Sequence, residues 1–470
     1  MPHTFKLRPP LEQLKTDFYV GDSSSRQVDL ILLGTIAEEG TKRNVWLDAT
    51  DEHVVLIVGK RGSGKSYSMG VFLEGLGVSG GSKSRISQVR DSRGVVLFDT
   101  LGIFWSMIHP VESDGGPRHS EQWKNMQSMG LAPEPVRVNV WVPAGKKLPG
   151  DHESFKEFRI KVSDLTLDDW SSILDTDLVA SQVGQLLSTC FVKVTQRGWQ
   201  RGAVKVEPRL DYAIPDLLDC LDHDSEVQSR YASGTIDALH RRLGYYDGLR
   251  LMSSEGTPIT DVVKKGVVAV VELPLSRVEE DLRDAIVSIL LRKIMSARAE
   301  GSYAKKVLEL QPRLSKEKQH ELEDSIDRSL PRTWIALDEV HNFAPVSGRT
   351  AASRELVRMT KEGRNIGISI VMTTQQPSGL AQEILTQVDT LVVHQLTEYR
   401  DRHVAHENRK CPYPTEVKVD GKTLQDQEDL PAYLGLGEAL VSCSEMTEDV
   451  PRAFLLRIRP RITAHAGYAG

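Results

Sequence analysis

The sequence is poor in cysteine and in aromatic residues, and it has no long hydrophobic run. Its 470 residues include four cysteines and 6% aromatic residues. The cysteines, Cys190, Cys220, Cys411 and Cys443, have neither metal-ligand nor redox spacing, which indicates reduced thiols. No run approaches the roughly 20 apolar residues of a membrane span, and the first residues lack the apolar core of a signal peptide. We therefore expect a cytoplasmic protein with no membrane span.

The sequence also lacks a large excess of either positive or negative charge. The formal net charge is −6 at pH 7, with 40% hydrophobic and 26% charged residues. These values are typical of a globular protein and exclude a surface coated with basic side chains for nucleic acid. They leave open a local basic channel assembled from several subunits. The length allows one large α/β domain with a substantial appendage.

The most specific segment is a glycine-rich loop between a predicted strand and a predicted helix. Residues 59–66 read G-K-R-G-S-G-K-S, after the apolar run 54–58 and before a helical pattern at 67–76. Such glycines let consecutive N–H groups and a helix N-terminus face a phosphate. Lys65 is then expected to reach the β and γ phosphates of ATP, and Ser66 to hold Mg²⁺. The predicted nucleotide-binding residues are Gly59, Arg61, Gly62, Ser63, Gly64, Lys65, Ser66 and Tyr67.

Two adjacent acids follow a second apolar run. Residues 334–337 read W-I-A-L and lead into Asp338 and Glu339. In P-loop enzymes an aspartate at this point helps to hold Mg²⁺, directly or through water. An adjacent glutamate suits a different task, polarising the water that attacks the γ-phosphate. The pair favours hydrolysis over mere nucleotide sensing, so Asp338 is a predicted metal residue and Glu339 a predicted catalytic one.

Two further candidates flank a third apolar strand at 367–372. Gln375 lies just beyond the strand, where an amide can contact the γ-phosphate, although a polar loop end is the simpler interpretation. Arg364 lies just before it. An arginine can stabilise charge on the transferring phosphoryl group, and oligomeric motors often supply it from a neighbouring subunit. On position alone, a solvated or surface-paired arginine is the more common case.

Other basic residues and one histidine are less specific. Arg354, Arg358 and Lys361 fall at helical spacing, which fits a solvated helix face, a subunit interface or a phosphate-contacting lining. The terminal run 452–462 alternates like an edge strand, so Arg457, Arg459 and Arg461 are expected to point to one side, towards a solvent face rather than a DNA contact. His341 follows the acid pair, either supporting it or packing as a loop residue.

Apolar runs separated by helical patterns predict an α/β fold of the P-loop NTPase kind, RecA/FtsK-like, with a mostly parallel sheet flanked by helices and a helical insertion. Strands are expected at 28–35, 44–47, 54–58, 94–99, 136–142, 267–273, 333–337, 366–372 and 390–394. An exposed loop is expected at 79–93, and a mobile loop or exposed helix at 305–328. The predicted divisions are an N-terminal arm and short β cap (1–50), the first part of an ATPase core (51–150), the helical insertion (151–265), the second part of the core (266–450) and a C-terminal tail (451–470).

Several ordered motifs together resemble the HerA branch of the HerA/FtsK superfamily of motor ATPases. Beyond the P-loop, the motifs are F-D-T-L-G at 98–102, L-D-E-V-H-N-F at 337–343, K-E-G-R-N-I-G at 361–367, T-Q-Q-P-S at 374–378, V-D-T-L-V-V-H at 388–394 and L-G-L-G-E-A at 434–439. The resemblance covers about 28–110 and 265–465, and the helical stretch between is matched only by position.

This resemblance implies a homo-hexameric ring that hydrolyses ATP between subunits and moves double-stranded DNA. It implies an arginine finger at Arg364 and a γ-phosphate sensor at Gln375. Its members work with a partner nuclease in DNA end resection, and bacterial ones also with nuclease or NAD-degrading effectors in anti-phage defence. The sequence departs from the family in two places. Only a truncated version of the family's N-terminal β-barrel would fit ahead of Gly59. At position 376, where the family often has arginine, this chain has Gln376.

The first hypothesis is thus a Mg²⁺-dependent ATPase that translocates duplex DNA for a nuclease or defence effector. A second hypothesis is an ATP-gated ring that assembles and activates an effector without translocation. ATP turnover that does not respond to DNA would favour this hypothesis. A membrane-associated secretion or conjugation motor is weaker because no span is present. A small-molecule kinase fits the motifs least.

Overall fold

A single sheet of thirteen strands organises the computed structural model, which describes residues 3–11, 17–21, 29–40, 43–78, 84–114, 116–311, 313–446 and 452–467. The strands are β1 Phe5–Arg8, β2 Phe18–Val20, β3 Leu30–Ile36, β4 Asn44–Asp48, β5 Val54–Val58, β6 Gly94–Asp99, β7 Val138–Pro143, β8 Lys156–Phe158, β9 Ile160–Lys161, β10 Trp199–Arg201, β11 Val204–Val206, β12 Met252–Ser253, β13 Val268–Glu272, β14 Thr333–Leu337, β15 Ile368–Thr374, β16 Thr390–Val393, β17 Glu416–Val419, β18 Lys422–Thr423, β19 Glu438–Cys443 and β20 Phe454–Ile458. The order in the sheet is β2-β4-β3-β20-β19-β16-β5-β15-β14-β6-β13-β7-β8.

Helices cover the sheet and fill the long connections. They are α1 Lys65–Gly77, α2 Pro117–Ser128, α3 Leu167–Ile173, α4 Gln182–Val192, α5 Ile214–His223, α6 Ser225–Arg230, α7 Ser233–Asp247, α8 Ile259–Val262, α9 Glu280–Leu310, α10 Lys316–Arg328, α11 Ala351–Glu362, α12 Gln382–Leu385 and α13 Tyr399–Glu407. Among the described helices, none is both long and apolar enough to cross a membrane.

The strands from β16 to β8 in the sheet order run parallel to one another. Their continuous apolar sequences fit burial on both faces, as parallel strands require; β14 and β15 are buried at every residue. The strands β19, β20, β3 and β4 pair antiparallel beyond them. The predicted α/β fold with a mostly parallel sheet is therefore confirmed.

Helices α3 to α8 lie between β8 and β13 and supply the predicted helical insertion. Threonine starts the first of them: Thr166 caps α3 in a reciprocal capping box with Asp169. Inside, the Trp170 indole N–H donates to the Tyr212 hydroxyl at 2.8 Å, which satisfies a buried donor. The boundaries predicted for the domains stay a prediction.

Two loop predictions need qualification. For the charged stretch 305–328, the predicted alternative of a helix is confirmed over 305–310, the end of α9, and over 316–328, which is α10. The exposed loop predicted at 79–93 is partly wrong, because Ile86 and Arg93 are buried, and Arg93 pairs with Asp29 at 2.8 Å. Residues 79–83 of that loop lie outside the described residues.

The prediction for the terminal arginines is wrong in two respects. Strand β20 is not an edge strand, since it lies between β19 and β3. Arg459 and Arg461 are fully buried and pair with the Glu74 carboxylate of α1 at 2.8 Å and 3.3 Å. Only Arg457 is exposed, and it pairs with Glu438. The three arginines therefore do not share one environment: Arg457 faces solvent as predicted, whereas Arg459 and Arg461 lie beyond the end of β20 and against α1.

The cluster around Glu74 joins the P-loop helix to the C-terminal strand. Besides the two arginines, Glu74 accepts the N–H groups of Ile462 and Thr463 and the Thr463 hydroxyl. Burial alone would raise the pKa of Glu74, but the arginines outweigh it and lower that pKa. Gly70 makes room for the contact, because a Cβ there would lie 2.7 Å from the Arg461 guanidinium.

We predict that Glu74→Ala destabilises the protein strongly. The change leaves two buried guanidinium groups without their carboxylate, which typically costs about 3–5 kcal/mol. Thermal unfolding followed by circular dichroism should show a midpoint lower by roughly 5 °C or more. The matched control is Glu362→Ala, which removes an exposed carboxylate paired with Arg358 and should change the midpoint little. Equal, small effects of both changes would contradict the importance of the cluster.

Candidate functional site

The predicted P-loop has the geometry of an anion-binding loop. It connects β5 to α1, and Gly62 and Gly64 have positive φ angles of 75° and 106°. A Cβ at Gly59 would lie 2.5 Å from the Ser63 hydroxyl, so this position has room only for glycine. No side chain caps α1 at Gly64. The first N–H groups of α1 therefore remain available for a phosphate.

Lys65 is held inside this loop. Its ammonium donates to the Lys60 carbonyl at 3.2 Å and lies 3.9 Å from the Glu339 carboxylate. Burial lowers the pKa of Lys65, while Glu339 and Asp338 act in the opposite direction. The lysine is thus positioned between the loop and the two acids that the sequence singles out.

Asp338 is completely buried at the carboxyl end of β14. One carboxylate oxygen, Oδ1, accepts the Thr373 hydroxyl at 2.5 Å. The other, Oδ2, is buried and has no hydrogen-bond partner among the residues that the structure describes. Burial raises the pKa of Asp338 to about 6. A buried carboxylate oxygen that has no protein hydrogen-bond donor among the described residues, beside a phosphate-binding loop, fits a residue that would help to hold Mg²⁺.

Few protein side chains are available at this site as ligands for Mg²⁺. Among the residues described, no group of three or more acids, histidines or cysteines could hold a metal ion. Mg²⁺ suits such a site because it commonly uses one or two protein oxygens and takes the rest from phosphates and water. Asp338 and Ser66 fit that donor set.

Glu339 is engaged at both carboxylate oxygens. Oε1 accepts the Gln375 side-chain amide at 2.6 Å, and Oε2 accepts the Gln375 backbone N–H at 3.1 Å. The backbone of Glu339 has φ 50°, in the left-handed region that costs a non-glycine residue free energy. The structure thus brings Lys65, Glu339 and Gln375 together. In this arrangement both carboxylate oxygens of Glu339 are bound by Gln375.

Two threonines of β15 position the acids, and sequence reasoning missed both. Thr373 contacts Asp338 and also accepts the Glu339 N–H at 3.1 Å. The Thr374 hydroxyl lies 3.0 Å from Nδ1 of His341, and the same nitrogen lies 3.4 Å from Glu339. His341 therefore supports the acid pair rather than packing as an independent loop residue. The signal that could have found the threonines is their place one strand away from the acids, at the same sheet edge.

Asp99, at the end of β6, has a structural task that its motif did not reveal. It accepts four backbone N–H groups, from Leu101 and Gly102 at one oxygen and from Ile103 and Phe104 at the other. Burial raises the pKa of Asp99 to about 7, with Asp338 and Glu272 adding to the shift. Its role is to fix the loop at 101–104 beside the P-loop.

Arg364 lies at the opposite edge of the sheet from the other candidates. It precedes β15, whereas Gln375 follows it, and the seven residues of this strand span roughly 20 Å. Its side chain is exposed, and within the described parts of the chain no hydrogen bond or ion pair holds its guanidinium. Arg354 and Arg358, on α11, are exposed and pair with Asp168 and Glu362. Those two belong to a solvated helix face.

One cavity connects the candidate residues. It has a volume of about 2120 Å³ and is lined by Gly62, Lys65, Ser66, Glu339 and Gln375, among others. Tyr67 and Arg61, both predicted to contact nucleotide, also line it. The arrangement places a cation, an acid and an amide around a loop that binds anions, which suits the hydrolysis of a nucleoside triphosphate.

Comparison with known proteins yields one family. The family model "Helicase HerA, central domain" matches residues 31–294, more than half of the chain. The chain is 25% identical over 306 residues to the DNA double-strand break repair helicase HerA of Pyrococcus furiosus, covering 60% of this chain and 52% of that protein. It is 28% identical over 251 residues to the HerA of Sulfurisphaera tokodaii, covering 52% of this chain and 46% of that protein. The chain thus spans about half the length of these curated relatives.

Among solved structures, VirB4 of Thermoanaerobacter pseudethanolicus is similar with a TM-score of 0.48 and 14% identity, over 93% of this chain and 97% of that one. The plasmid coupling protein TrwB, solved with ADP and Mg²⁺, is similar with a TM-score of 0.46 and 14% identity, over 95% and 97%.

We predict that Asp338→Asn stabilises the protein at alkaline pH in the absence of Mg²⁺ and nucleotide. The folded state binds the Asp338 proton with a pKa of about 6, against about 4 in an unfolded chain. The free energy of unfolding therefore falls as pH rises from about 4 to about 6, and stays lower above. Removing the charge should recover roughly 2 kcal/mol at pH 8 and almost nothing near pH 4.

Thermal unfolding midpoints at the two pH values measure this difference. The control is Asp51→Asn, at an exposed position. An increase in the unfolding midpoint of equal size at pH 4 and pH 8 would show that burial does not raise the pKa of Asp338.

Proposed function

This chain belongs to the HerA central-domain family, and from that premise we propose that it is a Mg²⁺-dependent ATPase working as a homo-hexameric motor on double-stranded DNA. The observation that carries the proposal is the convergence of Lys65, Glu339 and Gln375 on one cavity beside the P-loop. Each of the three residue types has a separate task in phosphoanhydride hydrolysis, and the three are brought together from distant parts of the sequence.

The residues divide the chemistry among them. Lys65 and the N–H groups of the P-loop bind the phosphates, and Ser66 and Asp338 are the residues that would hold Mg²⁺, which neutralises charge on the phosphate oxygens. Glu339 takes the proton of the attacking water. Gln375 occupies both oxygens of Glu339 in this conformation. A γ-phosphate that attracts the Gln375 amide would free Glu339 for the water, so sensing and catalysis are linked.

Arg364 supports an assembly in which the site is completed by a second copy. It cannot reach the cavity of its own chain, because β15 separates the two. A head-to-tail contact that brings Arg364 of one subunit to the cavity of the next is heterologous, and such contacts form a ring when the rotation between subunits closes. Exposed apolar side chains at the same sheet edge as the cavity, Leu101, Leu275, Val346 and Leu436, suit a surface that a neighbour covers.

Double-stranded DNA is the proposed substrate of the motor. The relatives named above are DNA double-strand break repair helicases, and a ring can concentrate basic residues in its channel despite a net charge of −6 per chain. A partner nuclease, or a nuclease or NAD-degrading defence effector, is proposed from the family resemblance. A cytoplasmic location fits these partners.

We expect ATP hydrolysis that long duplex DNA stimulates. The measurement is steady-state phosphate release with and without DNA, together with mass photometry of the same sample. Lys65→Ala is the blank, and Glu339→Gln should bind ATP normally but lose turnover by roughly 100-fold or more. Turnover that ignores DNA would contradict translocation and favour the ATP-gated effector platform. Undiminished hydrolysis by Glu339→Gln would contradict the assignment of the base.

Arg364→Ala should abolish hydrolysis without weakening ATP binding, because the arginine acts on the neighbour's nucleotide. Mixing Arg364→Ala with Lys65→Ala subunits should restore part of the activity, since some interfaces then pair an intact cavity with an intact arginine. The matched control is Arg358→Ala, at an exposed position on the preceding helix α11, which should leave hydrolysis unchanged. No recovery in mixtures that exchange subunits would contradict a shared site.

A further inference from the structure

Arg364 lies on a short helical turn, Gly363–Ile366, between α11 and β15. We call residues 363–366 the arginine turn. Because the Arg364 side chain is exposed and has no bond of its own within the described parts of the chain, its direction depends on how firmly the backbone of the turn is held. The last carbonyl groups of such a turn have no partner inside it and need donors from elsewhere.

Three side chains of α9 supply those donors. Nε of Arg298 donates to the Ile366 carbonyl at 2.8 Å. The Asn365 carbonyl accepts the Ser302 hydroxyl at 3.4 Å and the Lys306 ammonium at 3.3 Å. Positions 298, 302 and 306 are four residues apart, so they lie along one face of the helix. The arginine turn is thus bound to α9 at two successive carbonyl groups.

Arg298 makes the most extensive of these contacts. Its Nη1 also donates to the Leu330 carbonyl at 2.6 Å, three residues before β14. Gly367 follows the arginine turn with φ 78°, and a Cβ there would collide with Nη2 of Arg298. Burial and the nearby Arg332 lower the pKa of Arg298. The two carbonyl groups therefore stabilise a charge that its surroundings otherwise disfavour.

The helix that carries these donors is itself fixed to the core. Asp284, in the first turns of α9, accepts the N–H groups of Ala351 and Ala352 at 2.8 Å and 3.3 Å, where α11 begins. Farther along α9, Arg292 donates to the Asp169 carboxylate of α3 at 2.8 Å. Because α11 leads directly into the arginine turn, α9 holds that segment at its beginning and at its end.

The contact of Lys306 with the turn is solvent-exposed. An exposed hydrogen bond contributes little to stability, because water competes for both groups. What it provides is a preferred orientation of the Asn365 peptide, directly beside Arg364. This points to a task in placing the arginine rather than in holding the fold together.

We propose that Arg298, Ser302 and Lys306 are positioning residues that hold the arginine turn so that Arg364 points to the nucleotide of the neighbouring subunit. The inference rests on the proposed function, because it assumes that Arg364 completes a neighbour's site. The three side chains act through Arg364 and do not touch the nucleotide. A displacement of about 1 Å in a group that acts on the transition state can reduce a rate by roughly 100-fold.

Steady-state hydrolysis and calorimetric ATP binding, both on the full chain, separate positioning from binding. Arg298→Ala should lower kcat by roughly tenfold or more, because the guanidinium of Arg364 is no longer aimed at the reacting phosphate. The Kd of ATP should stay within about twofold of the wild-type value, since the cavity lies at the other edge of the sheet.

Ser302→Ala combined with Lys306→Ala should lower kcat severalfold, again without weakening ATP binding. This double variant leaves Arg298 in place, so it decides the question where Arg298→Ala is too unstable to assay. The matched control is Lys305→Ala, at the exposed neighbouring position that pairs with Glu309. It should leave both kcat and Kd unchanged.

Mixed rings distinguish positioning from damage to the cavity. Arg298→Ala subunits keep their cavity and Lys65→Ala subunits keep their Arg364, so a mixture that exchanges subunits should recover part of the hydrolysis. A mixture of Arg298→Ala with Arg364→Ala should show nothing beyond the two separate activities, because neither kind of subunit presents a correctly placed arginine. A general loss of stability would not produce this pattern.

Wild-type kcat in Arg298→Ala, or in the double variant, beside an inactive Arg364→Ala would overturn the positioning role and leave the proposed function intact. Recovery in the mixture of Arg298→Ala with Arg364→Ala would also overturn it, since the defect of Arg298→Ala would then lie in its own cavity. Full hydrolysis by Arg364→Ala would instead contradict the shared site of the proposed function, and with it this inference.

Discussion

The parallel register of β5, β15 and β14 is the constraint on which the candidate site depends. Thr374 pairs with Val58, and Met372 pairs with Leu337, so the three strands end at nearly the same level. Parallel strands put all their carboxyl ends at one edge of the sheet, where open α/β folds bind ligands. The P-loop, the acid pair and Gln375 each begin where one of these strands ends. A slip of the β14 register by one residue would turn its residues to the other face of the sheet and separate the acids from Lys65.

Two buried carboxylates of this protein, Glu74 and Asp338, differ in how far their charge is matched. The Glu74 carboxylate has two arginines and several hydrogen-bond donors, and its pKa is lowered despite complete burial. Asp338 has one hydroxyl donor and an orphaned oxygen, and its pKa is raised. The first pattern holds a helix in place. The second is the pattern of a carboxylate whose charge a nearby cation would stabilise, which fits a residue of a functional site.

Much of the site could be predicted from the sequence because its residues sit at the ends of apolar runs. Lys65, Asp338, Glu339 and Gln375 each follow such a run, and strands of this kind are detectable by composition and length. The partners Thr373 and Thr374 were missed, since they lie within a strand and acquire their role from the neighbouring one. Arg459 and Arg461 were assigned to solvent because alternation gives a shared face but does not say what covers it. Nothing local in the sequence indicates that α1 lies on that face.

Strand β15 carries Gln375 at one end and follows Arg364 at the other. Its hydrogen bonds to β5 on one side and β14 on the other leave it little freedom to stretch or shear. In the proposed ring, this strand would connect two successive reaction centres. A shift of the strand along its axis would move the Gln375 amide and the Arg364 guanidinium together, so that one strand, and no flexible linker, would join the two sites.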